Sequence, residues 1–202
     1  MIEFYTNPKS RGAIARWMLE EIGAPYTTHA MDFGASIKGA EYLAINPMGK
    51  VPAIVHDGKV VTEAAAICAY LADAFPQAGL APAVNDRAAY YRWLFFGAGP
   101  VEAAVSNTAM GFVIPDQRRG MIGYGCLFDV LATLDKHLTD HTYFAGDTFT
   151  AADVYTGSQI GWGLMFGTIP ARPTFTAYWD RVKDRPARKR AAELDAAMEN
   201  EA

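Results

Sequence analysis

After residue 85 the strand signals in this 202-residue chain stop. Before that point, short β-branched and aromatic runs alternate with helical patterns. Beyond it only helical patterns recur. One change of period predicts a mixed β/α unit over residues 1–79 and an all-helical unit over 86–202. The stretch 75–84, with Pro76, Gly79 and Pro82, reads as the linker. With 51% hydrophobic and 20% charged residues, both units have apolar mass for packed cores.

In the first half, Ile2–Tyr5 alternates as a strand and Asn7-Pro8 breaks it. Ile14, Met18 and Ile22 then recur at helical spacing, with Trp17 widening the same face, and Gly23 and Pro25 end the pattern. A second strand over 26–31 follows a helix-length later, so the pair reads as βαβ and parallel. A short helix is expected near 39–45. Val51–Val55 and Val60-Val61 flank Asp57-Gly58, a hairpin signal. A helix over 63–74 closes the unit. In the second half, helices are expected at 87–96, 121–138, 151–164 and 175–185. Thr150-Ala-Ala-Asp153, between Phe149 and Val154, is an acidic capping box with its hydrophobic staple.

Charge excludes several classes. Eighteen cations against 22 acids give −4. The halves are alike, with six cations against eight acids over 1–78 and twelve against fourteen over 79–202. No basic surface for nucleic acid is expected. Six cations from Arg181 to Arg190, beside Asp180 and Asp184, read as a solvated helix around Pro186. Cys68 and Cys126 are 58 positions apart and the four histidines show no ligand spacing, so no metal is expected. No apolar run approaches a membrane span and the N-terminus is not a signal peptide. A reducing, cytoplasmic setting fits free cysteines.

Three places can carry chemistry. Pro52 opens a strand. A cis Val51–Pro52 bond there turns the Val51 main-chain groups outward to pair with an extended peptide; the plainer reading is an edge strand that begins with proline. Glu63-Ala64 opens a helix, whose free N–H groups attract an anion while the carboxylate attracts an ammonium; a glutamate favoured by the helix dipole is the plainer account. Ser10, before the first long helix, sets a hydroxyl beside free N–H groups where a thiolate is stabilised; a simple N-cap serine is the plainer reading. Tyr5 is a second hydroxyl in that neighbourhood.

In this order, these elements resemble the thioredoxin-like fold. With the helical half, the chain resembles the cytosolic glutathione S-transferase family, its serine-type bacterial members in particular. The resemblance rests on Tyr5–Ile22, Asn46–Leu71 with its Asn-Pro-x-Gly-Lys-Val-Pro run, and Tyr143–Tyr155 with the capping box. It implies an α/β thioredoxin-like domain followed by an all-α domain, glutathione as co-substrate, a homodimer and a detoxifying role. Val51 and cis Pro52 bind the cysteinyl backbone, Lys50 lies near the glycyl end, and Glu63 and the Ala64 N–H meet the γ-glutamyl ammonium and carboxylate. Ser10, with Tyr5 as the alternative, donates to the sulfur. The family's usual Ser or Thr after the glutamate is Ala64 here, which implies weaker glutathione binding. No cysteine lies in residues 1–67, which speaks against a cysteine-type activator.

A free thiol has a pKa of about 8.5, so lowering it by ~2 units takes about 2.7 kcal/mol. One hydroxyl bond to the anion, ~1.5–3 kcal/mol, with a helix N-terminus, ~0.3–1 kcal/mol, supplies that. The thiolate then attacks a small hydrophobic electrophile. Met110, Phe112, Trp162 and Phe166, with Met165, are the candidate pocket residues, against ordinary core packing. The rival readings are a non-enzymatic glutathione-binding or structural member of the fold, and a glutathione-dependent dehalogenase, isomerase or peroxidase.

Overall fold

A computed structural model of the chain describes residues 1–201. They group into two compact units: Met1–Leu80 together with the segment from Arg185 onward, and Ala81–Asp184. No helix among the described residues is long and apolar enough to cross a membrane.

The first unit is built on a four-stranded sheet of β1 (Ile2–Thr6), β2 (Tyr26–Ala30), β3 (Ala53–His56) and β4 (Lys59–Thr62), in the order β2-β1-β3-β4. β1 and β2 are parallel and the other pairs antiparallel. The parallel pair is connected through α1 (Gly12–Ile22), as a crossover demands. The β3–β4 hairpin turns on Asp57 and Gly58, at φ 49° and 77°, the two left-handed positions of a type I′ turn. Alternation along β1 sets the layers. Ile2, Phe4 and Thr6 are buried beneath α1 and α3 (Ala64–Ala74), which pack on each other. Tyr5 faces the other way and packs with Met31, Ile37, Ala53 and Val51, under Tyr42 and Ile45 of α2 (Ala40–Ile45).

The last helix, α9 (Pro186–Glu201), packs on α1. The expected solvated helix around Pro186 is instead a break. α8 (Pro173–Val182) ends before it, and Pro186 opens α9, where its missing N–H costs nothing. The cations there are used for docking. Arg185 makes two bonds to Glu21, at 2.6 and 2.7 Å, and Arg190 meets Glu20 at 2.7 Å. Beneath them Arg16, 2% exposed, donates from Nε to Asp195 at 2.6 Å. Its Nη1 reaches the Tyr26 and Thr28 hydroxyls at 3.3 Å. Burial raises the Asp195 carboxyl above its usual range, and burial with the Glu20 bond pushes Tyr26 up to about 12.

The second unit is helical. α4 (Ala88–Phe96) runs through a π-helical turn at Gly97–Val101 into α5 (Glu102–Ala109). Pro100 sits inside that turn and donates no N–H, and the Thr156 hydroxyl donates to the Trp93 carbonyl at 2.8 Å. A Cβ at Gly97 would lie 2.4 Å from Thr156 Oγ1, so the close approach requires glycine. The helix expected from residue 121 begins only at Leu127, as α6 (Leu127–Asp140). Gly125, at φ 66°, stops regular structure short of it.

α7 (Ala151–Phe166) starts as its capping box predicts. Thr150 Oγ1 accepts from the Ala152 N–H at 3.3 Å, and Asp153 Oδ2 accepts from the Thr150 N–H at 2.9 Å. Asp153 also reaches beyond the cap. Its Oδ1 accepts from the Phe144 N–H and the Tyr178 hydroxyl, each at 2.9 Å. Burial pushes this carboxyl up to about 6, against the opposing pull of those donors.

Candidate active site

The sheet register gathers the predicted residues of the first unit at one end. Tyr5 of β1 lies opposite Ala53 of β3, and Ala53 opposite Thr62 of β4. Val51-Pro52 therefore leads into the sheet beside the point where β1 leaves it, and Glu63-Ala64 follows from the neighbouring strand. The β1–α1 turn brings Ser10 to the start of α1, and Glu63-Ala64 opens α3.

The Val51–Pro52 peptide is cis. The Val51 main-chain N–H and C=O have no hydrogen-bond partner among the described residues, leaving a strand-like donor and acceptor unspent. The loop before it is held by Asn46, a residue of the Asn-Pro-x-Gly-Lys-Val-Pro run whose role the sequence alone does not give. Asn46 is 4% exposed. Its Nδ2 donates to the Lys50 carbonyl at 2.8 Å, and its Oδ1 accepts from the Met48 N–H at 3.1 Å. The Tyr42 hydroxyl donates to the same Lys50 carbonyl at 2.5 Å; burial pushes Tyr42 up to about 12, so it stays a donor. Lys50 is left exposed.

Glu63 adopts φ 66° and ψ 115°, a left-handed conformation unusual for a side chain of its size. The turn lets Ile67 close the first helical bond on the Glu63 carbonyl, at 2.8 Å. No side chain caps α3, and the N–H groups of Ala64, Ala65 and Ala66 have no partner among the described residues. That is an anion site in form, with an exposed carboxylate beside it.

Ser10 is half-buried. Its hydroxyl donates to the Asn7 carbonyl at 2.6 Å and accepts from the Gly12 N–H at 2.9 Å. Asn7 ties the turn to the residue that follows β2, donating from Nδ2 to the Met31 carbonyl at 2.8 Å. A Cβ at Gly12 would lie 1.9 Å from Thr6 Oγ1, so the helix can approach the strand there only as glycine. Tyr5 is placed apart from this turn, on the α2 face. Its ring stacks on His29 at 4.5 Å, and His29 Nε2 lies 2.6 Å from Glu3. The stack lines a groove of about 880 Å³ that runs past Met31 and Tyr42.

The proposed electrophile residues fall in the second unit. Met110 and Phe112 follow α5, and Phe166 ends α7, at 64%, 60% and 70% exposure. Met165 is 65% exposed. Core packing is therefore not their role. Trp162, on α7, is half-buried. No group of three or more metal-ligating side chains occurs among the described residues.

Residues 2–73 match the family described as glutathione S-transferase, N-terminal domain, and residues 124–186 match glutathione S-transferase, C-terminal domain. Glutathione S-transferase F9 of Arabidopsis thaliana is 30% identical over 85% of this chain and 86% of its own. A glutathione transferase crystal structure from Methylococcus capsulatus superposes with a TM-score of 0.81, at 27% identity, over 98% of this chain and 100% of that one. A sphingomonad glutathione S-transferase solved in complex with glutathione gives a TM-score of 0.78 at 30% identity, over 96% and 98% of the two chains. Both domains, their order and a mixed four-stranded sheet followed by helices agree, and the chain belongs to the glutathione S-transferase family.

Proposed function

We propose that this glutathione transferase binds glutathione at the sheet end of its first unit and activates it as a thiolate through Ser10. The carrying observation is the set of unspent main-chain groups gathered there: the Val51 N–H and C=O, and the first three N–H groups of α3. They suit an extended peptide with an α-carboxylate at one end. Glu63 is placed to take the ammonium and Lys50 the glycyl carboxylate. Pro52 fixes the loop, and the Ala64 N–H serves although its side chain has no hydroxyl. Ser10 is favoured over Tyr5 because it lies in the turn that leads into α1, its hydroxyl bonded to the Gly12 N–H, whereas the Tyr5 ring is stacked on His29 on the α2 side of the sheet.

The chemistry follows from position. Ser10 turns its proton from the Asn7 carbonyl to the sulfur while keeping the Gly12 N–H as donor. The thiol proton leaves to solvent, and the thiolate then attacks an electrophilic carbon and expels its leaving group with the bonding electron pair. Met110, Phe112, Trp162 and Phe166 are the residues assigned to an apolar electrophile. Turnover of an aryl halide by the Ser10→Ala and Tyr5→Phe variants tests the assignment. A Ser10→Ala variant with full turnover rejects it.

The working form is a cytoplasmic homodimer in this reading. Tyr91 and Phe95, one turn apart on α4, are 43% and 73% exposed, an apolar pair suited to a partner copy. Sedimentation is expected at twice the chain mass, shifting toward the monomer in Phe95→Glu. A native chain that sediments as a monomer contradicts the dimer.

A further inference from the structure

Thr6 ends β1 and is 0% exposed, yet its Oγ1 has no hydrogen-bond partner among the described residues. A buried hydroxyl without a partner is a cost to the fold, and valine fills the same volume at a strand position without it. The position of this hydroxyl is specific. The point a Cβ would occupy at Gly12 lies 1.9 Å from Thr6 Oγ1, 2.9 Å from Ser10 Oγ and 3.1 Å from the Asn7 carbonyl oxygen. Three oxygens thus crowd one spot at the start of α1, and glycine at position 12 leaves the room between them.

Their protons are unequally used. Ser10 gives its single proton to the Asn7 carbonyl and receives one from the Gly12 N–H. The Thr6 proton has no acceptor. Resting on the reading of Ser10 as thiol activator, we infer that Thr6 is a positioning residue behind it, whose hydroxyl donates to Ser10 Oγ when Ser10 turns its own proton to the glutathione sulfur. Ser10 Oγ then accepts from both the Gly12 N–H and Thr6 while donating to the anion. Each bond in such a chain polarises the next, so the Ser10 proton becomes a better donor to the thiolate. Donation to Ser10 uses the Thr6 proton and offsets the desolvation of its hydroxyl.

The two accounts of Thr6 separate in one experiment. Thr6→Val and Thr6→Ser are made in the native chain and in Ser10→Ala. Thermal midpoint, the pH profile of kcat/KM and the ultraviolet absorbance of the bound thiolate are read for each. Thr6→Val is expected to hold or raise the midpoint while lowering kcat/KM near neutral pH roughly threefold to tenfold, the size of one net hydrogen bond. The profile is expected to move to higher pH with KM for glutathione little changed, and Thr6→Ser to restore it. In the Ser10→Ala background, Thr6→Val is expected to add nothing. An unmoved profile in Thr6→Val, a loss that persists without Ser10, or a fall in midpoint that accounts for the lost activity overturns the role of Thr6 alone. A Ser10→Ala variant that keeps the native profile overturns the thiol-activation reading itself, and the role of Thr6 with it.

Discussion

Asp153→Ala is expected to lower the stability of the protein by about 3 kcal/mol at pH 7, a large share of a typical total of about 5–15 kcal/mol. The carboxylate accepts from the Thr150 and Phe144 N–H groups and from the Thr150 and Tyr178 hydroxyls, all buried. Removing it strands these four donors and opens a cavity, against which the relief of a buried charge is the smaller effect. Its pH dependence has a definite sign. The folded carboxyl is raised to about 6 by burial, from an ordinary value of 3.8. The folded state therefore holds this proton more tightly than the unfolded chain. The stability it contributes is full below about pH 4 and is lost as pH rises through 6, by about 3 kcal/mol. Alanine has no such proton, so the gap between native and Asp153→Ala is expected to widen as pH falls from 7 to 4. Urea denaturation of both proteins across that range checks it; a gap that narrows toward pH 4 contradicts the account of Asp153.

Ser10→Ala is expected to lower kcat/KM for glutathione by roughly 10- to 100-fold near neutral pH, the worth of one hydroxyl bond to an anion. The lower part of that range fits best, because Ser10 gives up its Asn7 bond to reach the sulfur. The pH profile is expected to shift upward by about one to two units, since one unit is ~1.4 kcal/mol of preference for the thiolate. KM for glutathione should move little, because the proposed site holds the peptide by main-chain groups away from Ser10. Tyr5→Phe is expected to stay within about twofold, as the Tyr5 hydroxyl makes no hydrogen bond among the described residues. Steady-state kinetics from pH 6 to 9 measure both. An unshifted profile in Ser10→Ala together with a shifted one in Tyr5→Phe would exchange their roles.

Short-range signals carried most of the first unit. Alternation over Ile2–Tyr5, the Asp57-Gly58 turn and the helical spacing of Ile14, Met18 and Ile22 are local, and each element formed within a residue or two of its predicted bounds. The capping box at Thr150 was equally legible, since cap and carboxylate are three positions apart. Its reach to Phe144 and Tyr178 was not, because those contacts depend on tertiary packing. The same holds for α9. A run of arginines beside Pro186 looks solvated until Glu20 and Glu21 are brought to it across more than 160 positions, and Asp195 of the same helix meets Arg16 across a similar separation. The α4–α5 passage was hidden for another reason. Gly97, Gly99 and Pro100 are helix breakers by rule, yet a π-turn absorbs them. In the candidate site, residue types and order were readable. The φ of Glu63, the grip of Asn46 on Lys50 and the unspent proton of Thr6 are properties of backbone path and packing, which a single sequence does not display.

The central claim is that the sheet end of the first unit binds glutathione and lowers its thiol pKa. Calorimetric titration with reduced glutathione at pH 6.5, repeated in buffers of different ionisation enthalpy, tests both parts together. A thiol lowered by ~2 units predicts saturable binding with release of about half a proton per site. Binding without proton release would leave the peptide site standing and contradict thiol activation, and no binding at millimolar glutathione would contradict the site itself.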